Sequence, residues 1–205
     1  MNKQIKNIIF DLGGVILNIN PAITEKIFID FGAVDFHQYF GHGFASSFFL
    51  DYEIGAISDL EFIAALKDLA KSDLPDQVIV DAWNALLLDF PPERIELLRS
   101  LKNRYSLFLF SNTNALHHAH FHNMFRRDFG GESMDDLFKK AYYSQVMKMR
   151  KPDKASFEFI IRENKLDPAE TLFVDDALIN IEGAKSAELI AHYLAPGTTI
   201  LDLDL

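Results

Sequence analysis

The chain predicts an α/β protein, a doubly wound parallel sheet with helices on both faces. Three observations carry the prediction. From about residue 91 onward, short apolar runs alternate with helix-period segments, the pattern of successive βαβ units. Apolar runs at 5–10, 106–110 and 171–174 each stop at polar residues, as a buried strand does where it leaves its sheet. The residues at those stops are Asp11, Ser111-Asn112 and Asp175-Asp176, and ligands of open α/β sheets bind at that carboxyl edge.

Residues 5–10 read as a strand, closed by a tight turn at Gly13-Gly14. From residue 21 to 90 the character changes to helix-period segments rich in aromatics. Ser58-Asp59-Leu60-Glu61 is a capping box that opens a helix over 60–70, with Phe62, Ile63, Leu66 and Leu69 on its apolar face. A further helix is predicted over 75–88, with Val78, Trp83, Leu86 and Leu87 buried. Pro92 suits the first position of a helix over 93–102. Then follow a strand at 106–110, a helix at 114–125, a strand at 141–143 and a helix at 153–164. A single turn at 167–170 precedes the strand 171–174, a helix around 180–187 and a last strand at 189–194. The division implied is an α/β core from residues 1–17 and 91–205, with a small helical insertion at 18–90.

Composition narrows the class. Of 205 residues, 49% are hydrophobic, ample for a sizeable core and unlike a disordered chain. The formal net charge of -10 disfavours nucleic acid and anionic membranes as partners. Cysteine is absent, which excludes disulfides, thiolate zinc sites and a thiol nucleophile. No apolar stretch approaches the roughly 18 residues of a membrane span, and Asp11 interrupts the N-terminal apolar run. A cytoplasmic protein is expected.

The polar signals suit one chemistry. Asp11, directly after a strand and before two glycines, is an exposed carboxylate to which a ligand can come close, as nucleophile or as metal ligand. Asp175-Asp176 places two carboxylates at another strand end, costly without a cation. Magnesium, which takes one or two carboxylates together with substrate phosphate, meets that demand. Ser111-Asn112 offers a hydroxyl, an amide and backbone N–H groups near a helix start. Lys151, held extended by Pro152, supplies a cation. Singly these are a turn aspartate, an acidic helix start, a helix cap and a chance Lys-Pro; together they form the inventory of magnesium-assisted phosphoryl transfer.

In this order, with a helical insertion after the first, the four signals resemble the haloacid dehalogenase superfamily over the whole chain. The resemblance implies a Rossmann-like core with a helical cap, and a magnesium cofactor. It makes Asp11 the nucleophile, Ser111 and Asn112 the phosphoryl-binding pair, and Lys151 the motif cation. It puts Asp11, the backbone carbonyl of Gly13 and Asp176 on the metal, with Asp175 assisting through water or from behind. Phe10-Asp11-Leu12-Gly13-Gly14-Val15, the run from Ser111 to His117, Met149-Arg150-Lys151-Pro152 and the run from Phe173 to Ala184 are similar to the bacterial α-D-glucose-1-phosphate phosphatase branch. The phosphatase domain of soluble epoxide hydrolases is a more distant relative.

One position departs from the superfamily pattern. Most of its phosphatases carry a second Asp two residues after the nucleophile, as general acid and base; here that residue is Gly13. Such an acid contributes roughly 10²–10⁴ in rate. Without it, esters with an acidic leaving group, such as a hexose 1-phosphate, are the favoured substrates. A base for the second step could come from His42, Asp51 or Glu53 in the insertion. Among His117, His118, His120 and His122 a structural role is expected, with His117 alone close enough in sequence to tune phosphate or water. Phe44, Phe48 and Phe49 are read as packing residues of the insertion. The expected function is a magnesium-dependent phosphatase for a small phosphorylated metabolite, with no nucleic-acid or membrane partner and the oligomeric state unset. The alternatives are a metal-free dehalogenase-type hydrolase and a non-catalytic protein that binds phosphate ligands.

Overall fold

The computed structural model describes residues 4–39 and 47–205, so His42 and Phe44 lie outside the described residues. Five strands, β1 (Asn7–Phe10), β2 (Ser106–Ser111), β3 (Lys140–Tyr143), β4 (Thr171–Asp175) and β5 (Ile190–Tyr193), form one sheet in the order β3-β2-β1-β4-β5. All four pairings are parallel. β1 is therefore central. The chain builds outward from it on one side, then crosses back to build the other, leaving the topological switch between β1 and β4.

The strand sequences explain the two layers. Side chains alternate across a sheet, so Ile8 and Phe10 enter one core cluster and Ile9 the other. Leu107 and Leu109 likewise face away from Phe108 and Phe110, and Val174 away from Phe173. Because every second residue on both faces is apolar, both faces need covering. Among the described residues ten α-helices follow in chain order: α1 (Pro21–Asp30), α2 (Phe36–Tyr39), α3 (Ser47–Glu53), α4 (Asp59–Ala70), α5 (Asp76–Asn84), α6 (Pro92–Leu101), α7 (Ala115–Asp128), α8 (Ser144–Met147), α9 (Lys154–Asn164) and α10 (Leu178–Ser186). α6 and α7 cover one face through Ile95, Leu98, Phe121 and Phe125. α9 and α10 cover the other through Phe157, Ile160, Ile181 and Ala184. The doubly wound sheet is as expected, with Pro92 at the first turn of α6 and Asn114 capping α7 by accepting from the His117 N–H.

Helices α1–α5 close around a third apolar cluster. Phe28 stacks on Phe36 at 4.7 Å between ring centroids and Tyr52 on Phe62 at 4.0 Å, with Phe49 and Trp83 packed beside them. Phe48 and Phe49 pack on each other within this set, so both serve packing. The capping box forms: Ser58 accepts from the Glu61 N–H and Glu61 accepts from the Ser58 N–H. Phe62, Ile63 and Leu66 are buried as predicted, with Ala70 completing the face and Leu69 at its edge.

The helix expected over 75–88 requires correction. It stops at Asn84, and Val78 is exposed while Ile79, Ala82 and Trp83 form the buried stripe. Residues 86–89 are claimed by a competing interaction. Asn20 N–H donates to the Leu86 carbonyl, and the Leu88 N–H and Asp89 carbonyl pair with Asn18, at 2.8–3.0 Å. Ile19 and Leu87 thus face each other in an antiparallel bridge at the root of the α1–α5 segment. None of the described helices is long and apolar enough to cross a membrane.

α7 buries His117 and His122, half-buries His118 and leaves His120 exposed. His117 stacks on Trp83 at 4.7 Å and 11°, its Nε2 lies 3.0 Å from the Trp83 carbonyl and its Nδ1 3.0 Å from the Asn114 amide nitrogen. A neutral ring that donates from Nε2 and accepts at Nδ1 satisfies both contacts. Burial pushes His117 and His118 down to about 4 and also lowers His122, which contacts Tyr143 and Asp135. The unfolded chain therefore binds more protons than the fold between about pH 6.5 and 4, and the stability that these rings contribute above pH 6.5 is lost as pH falls through that window. In thermal unfolding followed from pH 7 to 4, His118→Gln is expected to lose less stability than the parent chain; an unchanged slope would refute the assignment. A second expectation concerns the α1–α5 cluster: Phe62→Ala should cost about 3–5 kcal/mol in chemical denaturation.

Candidate active site

The site forms where the sheet's carboxyl edge crosses its switch point. Asp11 follows β1, and its N–H continues the ladder to the Val174 carbonyl at 2.9 Å, which pins it beside the end of β4. There β4 ends in Asp175, fully buried, with Asp176 exposed next to it. Carboxylate oxygens of Asp11, Asp175 and Asp176 all lie within 4.8 Å of one another. The turn at 12–17 folds back on itself, with the Leu12 carbonyl accepting from Ile16 and Leu17 and the Gly14 N–H donating to Leu17. Gly14 sits at φ +77°, and a Cβ there would collide with the Asp176 carboxylate. Glycine is needed both for the backbone conformation and for that close approach.

Lys151 is the centre of the arrangement. Its side chain is 1% exposed, and its ammonium lies 2.7 Å from Asp11 Oδ1 and 2.7 Å from Asp175 Oδ2. The faces of Phe110 and Phe173 flank it at 5.4 and 5.5 Å. Burial pulls this ammonium down, but the attraction of the two carboxylates and their hydrogen bonds outweighs that pull and holds its pKa above the usual lysine value. Burial drives Asp11 the other way, to about 7, with Lys151 opposing and the nearby Asp175 and Asp176 charges adding to the rise.

The residues behind this trio fix its geometry. Asp175 accepts from the Ala177 N–H at 2.8 Å through Oδ1 and from the Asn180 amide at 3.1 and 3.0 Å through both oxygens. The Asn112 side chain grips the Lys151 peptide at two points: its Oδ1 accepts from the Lys151 N–H and its Nδ2 donates to the Lys151 carbonyl, each at 2.9 Å. Ser111 ends β2, buried beside the end of β1. Five of the sequence candidates, Asp11, Asn112, Lys151, Asp175 and Asp176, are thus joined by direct contact or proximity, with Gly13 in the adjoining turn and Ser111 at the neighbouring strand end.

Other candidates fall elsewhere. Both His117 ring nitrogens are engaged by Trp83 and Asn114, which leaves none for phosphate or water. Glu53 is bound to Arg150, with Arg150 Nε 2.6 Å from Glu53 Oε2. Asp51 is half-buried on α3. Asn180 escaped assignment from sequence, although a signal existed. A buried aspartate needs donors for the lone pairs its cation leaves over, and an amide on the first turn of the following helix can reach back to the strand end.

With all three carboxylates ionised, one ammonium leaves two negative charges in this cluster. A hard divalent cation with oxygen preference fits that donor set. Residues 5–188 match the family model of haloacid dehalogenase-like hydrolases. The chain is 31% identical to a D-ribitol-5-phosphate phosphatase of Bacteroides thetaiotaomicron over 184 residues, 89% of this chain and 88% of that one. It is 25% identical to a sesquiterpene phosphatase of Aspergillus oryzae, covering 95% and 92% of the two chains. Among solved structures, a haloacid dehalogenase family enzyme of Bacteroides thetaiotaomicron in complex with magnesium and inorganic phosphate superposes with a TM-score of 0.85, at 31% identity and 94% and 96% coverage. With the sheet order, the carboxyl-edge aspartates and the family match in agreement, the chain belongs to the haloacid dehalogenase-like hydrolases.

Proposed function

We propose that the protein is a magnesium-dependent phosphatase for a small phosphorylated metabolite, working through an aspartyl-phosphate on Asp11. The observation that carries this reading is the charge balance around Lys151. With Asp11 ionised, as nucleophilic attack requires, the cluster holds two uncompensated negative charges, and a phosphate dianion cannot approach it unless a divalent cation joins. Asp11 and Asp176 would hold magnesium directly, with the Gly13 carbonyl, while Asp175 keeps its oxygens on Lys151, Asn180 and the Ala177 N–H and acts from behind. Bound there, the ion supplies charge neutralisation and orientation of the phosphoryl oxygens.

The protein's own groups account for the rest. One Asp11 oxygen forms a bond to phosphorus as the ester P–O bond breaks, and the leaving oxygen takes its proton from water. Lys151, already aimed at Asp11, stabilises the transferring group, and the Ser111 hydroxyl with the backbone N–H of Asn112 seats its oxygens at the β2 edge, the Asn112 side chain being committed to the Lys151 peptide. Water then attacks phosphorus, which releases inorganic phosphate and restores the Asp11 carboxylate. Residues 18–90 would act as a cap over the core of residues 1–17 and 91–205, excluding water and selecting the substrate. Their separate apolar cluster and the Ile19–Leu87 pairing at their root support that division.

For the substrate we favour a phosphorylated polyol or sugar. Two observations pull in different directions. The relative named for D-ribitol 5-phosphate acts on an ester of a primary alcohol, a poor leaving group. Gly13 has no acid to offer, and a Cβ at that position would stand 3.2 Å from Ile19 Cδ1, so apolar side chain fills the space where an acid would begin. That favours anomeric sugar 1-phosphates, whose leaving hydroxyl is more acidic.

Phosphate release measured over pentitol phosphates, hexose and pentose phosphates, sugar 1-phosphates and acyl phosphates separates these readings. Magnesium-dependent release is expected, abolished by EDTA and by Asp11→Asn. Release that survives EDTA would favour a metal-free hydrolase, and no release above the Asp11→Asn background a binding protein. Pentitol phosphates turned over faster than every sugar 1-phosphate would remove the leaving-group preference and leave the phosphatase standing. Lys151→Met should lower kcat by about 10²-fold or more, in the range for loss of a preorganised charge donor. Gly14→Ala should weaken magnesium binding, read as a raised half-saturating magnesium concentration, because its Cβ displaces Asp176.

A further inference from the structure

We propose that Glu53, on the α1–α5 segment, is a positioning residue for Lys151 and acts through Arg150; the proposal rests on the phosphatase reading above. Lys151 is held from three directions. Its ammonium is held by Asp11 and Asp175 and its peptide by the Asn112 amide. The third hold is on the residue before it. Arg150 Nε donates to Glu53 Oε2 at 2.6 Å, with both side chains largely buried, at 29% and 22% exposure. A charge-assisted bond of this length is among the stronger kinds and is directional.

The same stretch of the insertion is seated on the strand of chain that leads to Lys151. Ser144 Oγ, fully buried, lies 2.7 Å from the Glu53 carbonyl and 2.9 Å from the Thr113 carbonyl, which share its one proton, and it accepts from the Thr113 N–H at 2.9 Å. The Gly55 carbonyl accepts from Lys148 Nζ. Gly55 has a positive φ, and a Cβ there would stand 2.6 Å from the Gln145 carbonyl, so the two backbones touch. Residues 53–55 therefore grip residues 144–150 along their length, and Glu53–Arg150 is the contact nearest the site. Ser144 ties this grip to Thr113, the neighbour of Asn112, so both holds on the Lys151 backbone share one support.

An active-site cation must be held within about half an ångström of its working position, which needs support from outside the reacting trio. Glu53 supplies that support from the segment that would select the substrate. Proper seating of the insertion and proper placement of Lys151 are then one condition. This role also accounts for the Met149-Arg150-Lys151-Pro152 run, in which Arg150 touches none of the three aspartates in the contacts described, and for Glu53, a base candidate from sequence whose carboxylate is already engaged.

The test compares Glu53→Gln, Arg150→Lys and the exchanged pair Glu53→Arg/Arg150→Glu with the parent chain, using the panel's preferred substrate at saturating magnesium. Glu53→Gln is expected to lower kcat by about tenfold, a fraction of the loss an ångström of misplacement brings, with KM within about twofold. Arg150→Lys, which keeps the charge but loses the directed Nε donor, should fall between the two and serves if Glu53→Gln does not fold. The exchanged pair should recover most of the loss. An unchanged kcat, an effect confined to KM, or a loss that the exchange leaves untouched overturns the proposal. If the parent chain itself releases no phosphate, the phosphatase reading fails instead. The positioning role is then read from the thermal shift given by magnesium plus orthovanadate, which Glu53→Gln should reduce and which, left intact, overturns it.

Discussion

The buried ammonium of Lys151 is the constraint on which the rest of the structure depends. A charge at 1% exposure costs several kcal/mol of desolvation unless it is paired with good geometry. The pairing here uses two carboxylates from different strands, so β1 and β4 must end side by side at the same level. That requirement is met by the sheet order, which places β1 between β2 and β4 and aligns Phe10 with Val174. Asp175 needs donors for the oxygens that Lys151 leaves over, and α10 provides them through Ala177 and Asn180. Each element around the site is thus a consequence of keeping one cation dry and satisfied. None of this is stability gained cheaply, since apolar packing would serve a core better; the arrangement is held for chemistry.

The topology explains how residues so far apart in sequence converge. Parallel strands all present their carboxyl ends at one edge, so each apolar run delivers its next polar residue to the same place. Asp11, Ser111 and Asp175 arrive this way from β1, β2 and β4. Lys151 comes from further along the chain after β3, across the short α8, and cannot be positioned by a strand end. It is held by side-chain bonds instead: from Asn112, from the carboxylates, and at Arg150 from Glu53.

What was legible in the sequence follows the same division. β1, β2 and β4 were readable because both faces are buried, and the alternation that sends Ile8 and Ile9 to opposite cores shows up as an unbroken apolar run. Caps and first turns were readable at Ser58, Glu61 and Pro92, which act within three residues of themselves, whereas the α7 cap is Asn114 and not Ser111-Asn112. The three aspartates and Lys151 were readable from residue type and order. The end of α5 was not, since Leu86 and Leu88 are claimed by Asn18 and Asn20, more than sixty positions away. Nor was the phase of its buried face: Val78 and Ile79 are equally apolar, and only packing against Phe62 and its neighbours selects Ile79. Asn112 read as a phosphate donor, yet its side chain is spent on the Lys151 peptide, and Glu53 read as a base while its partner lies 97 residues on. Local chemistry is written in the sequence, whereas the partner of a side chain belongs to the fold.

Electrostatics links this geometry to the need for a cofactor. The chain as a whole is acidic, at -10, so no global field draws a phosphate ester to the site. Inside it, burial and the neighbouring carboxylates push Asp11 up to about 7, which means that Asp11 gives up its proton reluctantly without a cation beside it. Lys151 alone does not reverse that shift, because burial outweighs its attraction. A divalent cation between Asp11 and Asp176 would lower the cost of ionising Asp11 and, with the same charge, make room for the substrate dianion. Dependence on a cation is therefore built into the ratio of three carboxylates to one ammonium, and Gly14, having no Cβ, makes room for the Asp176 carboxylate over the turn where that cation would sit.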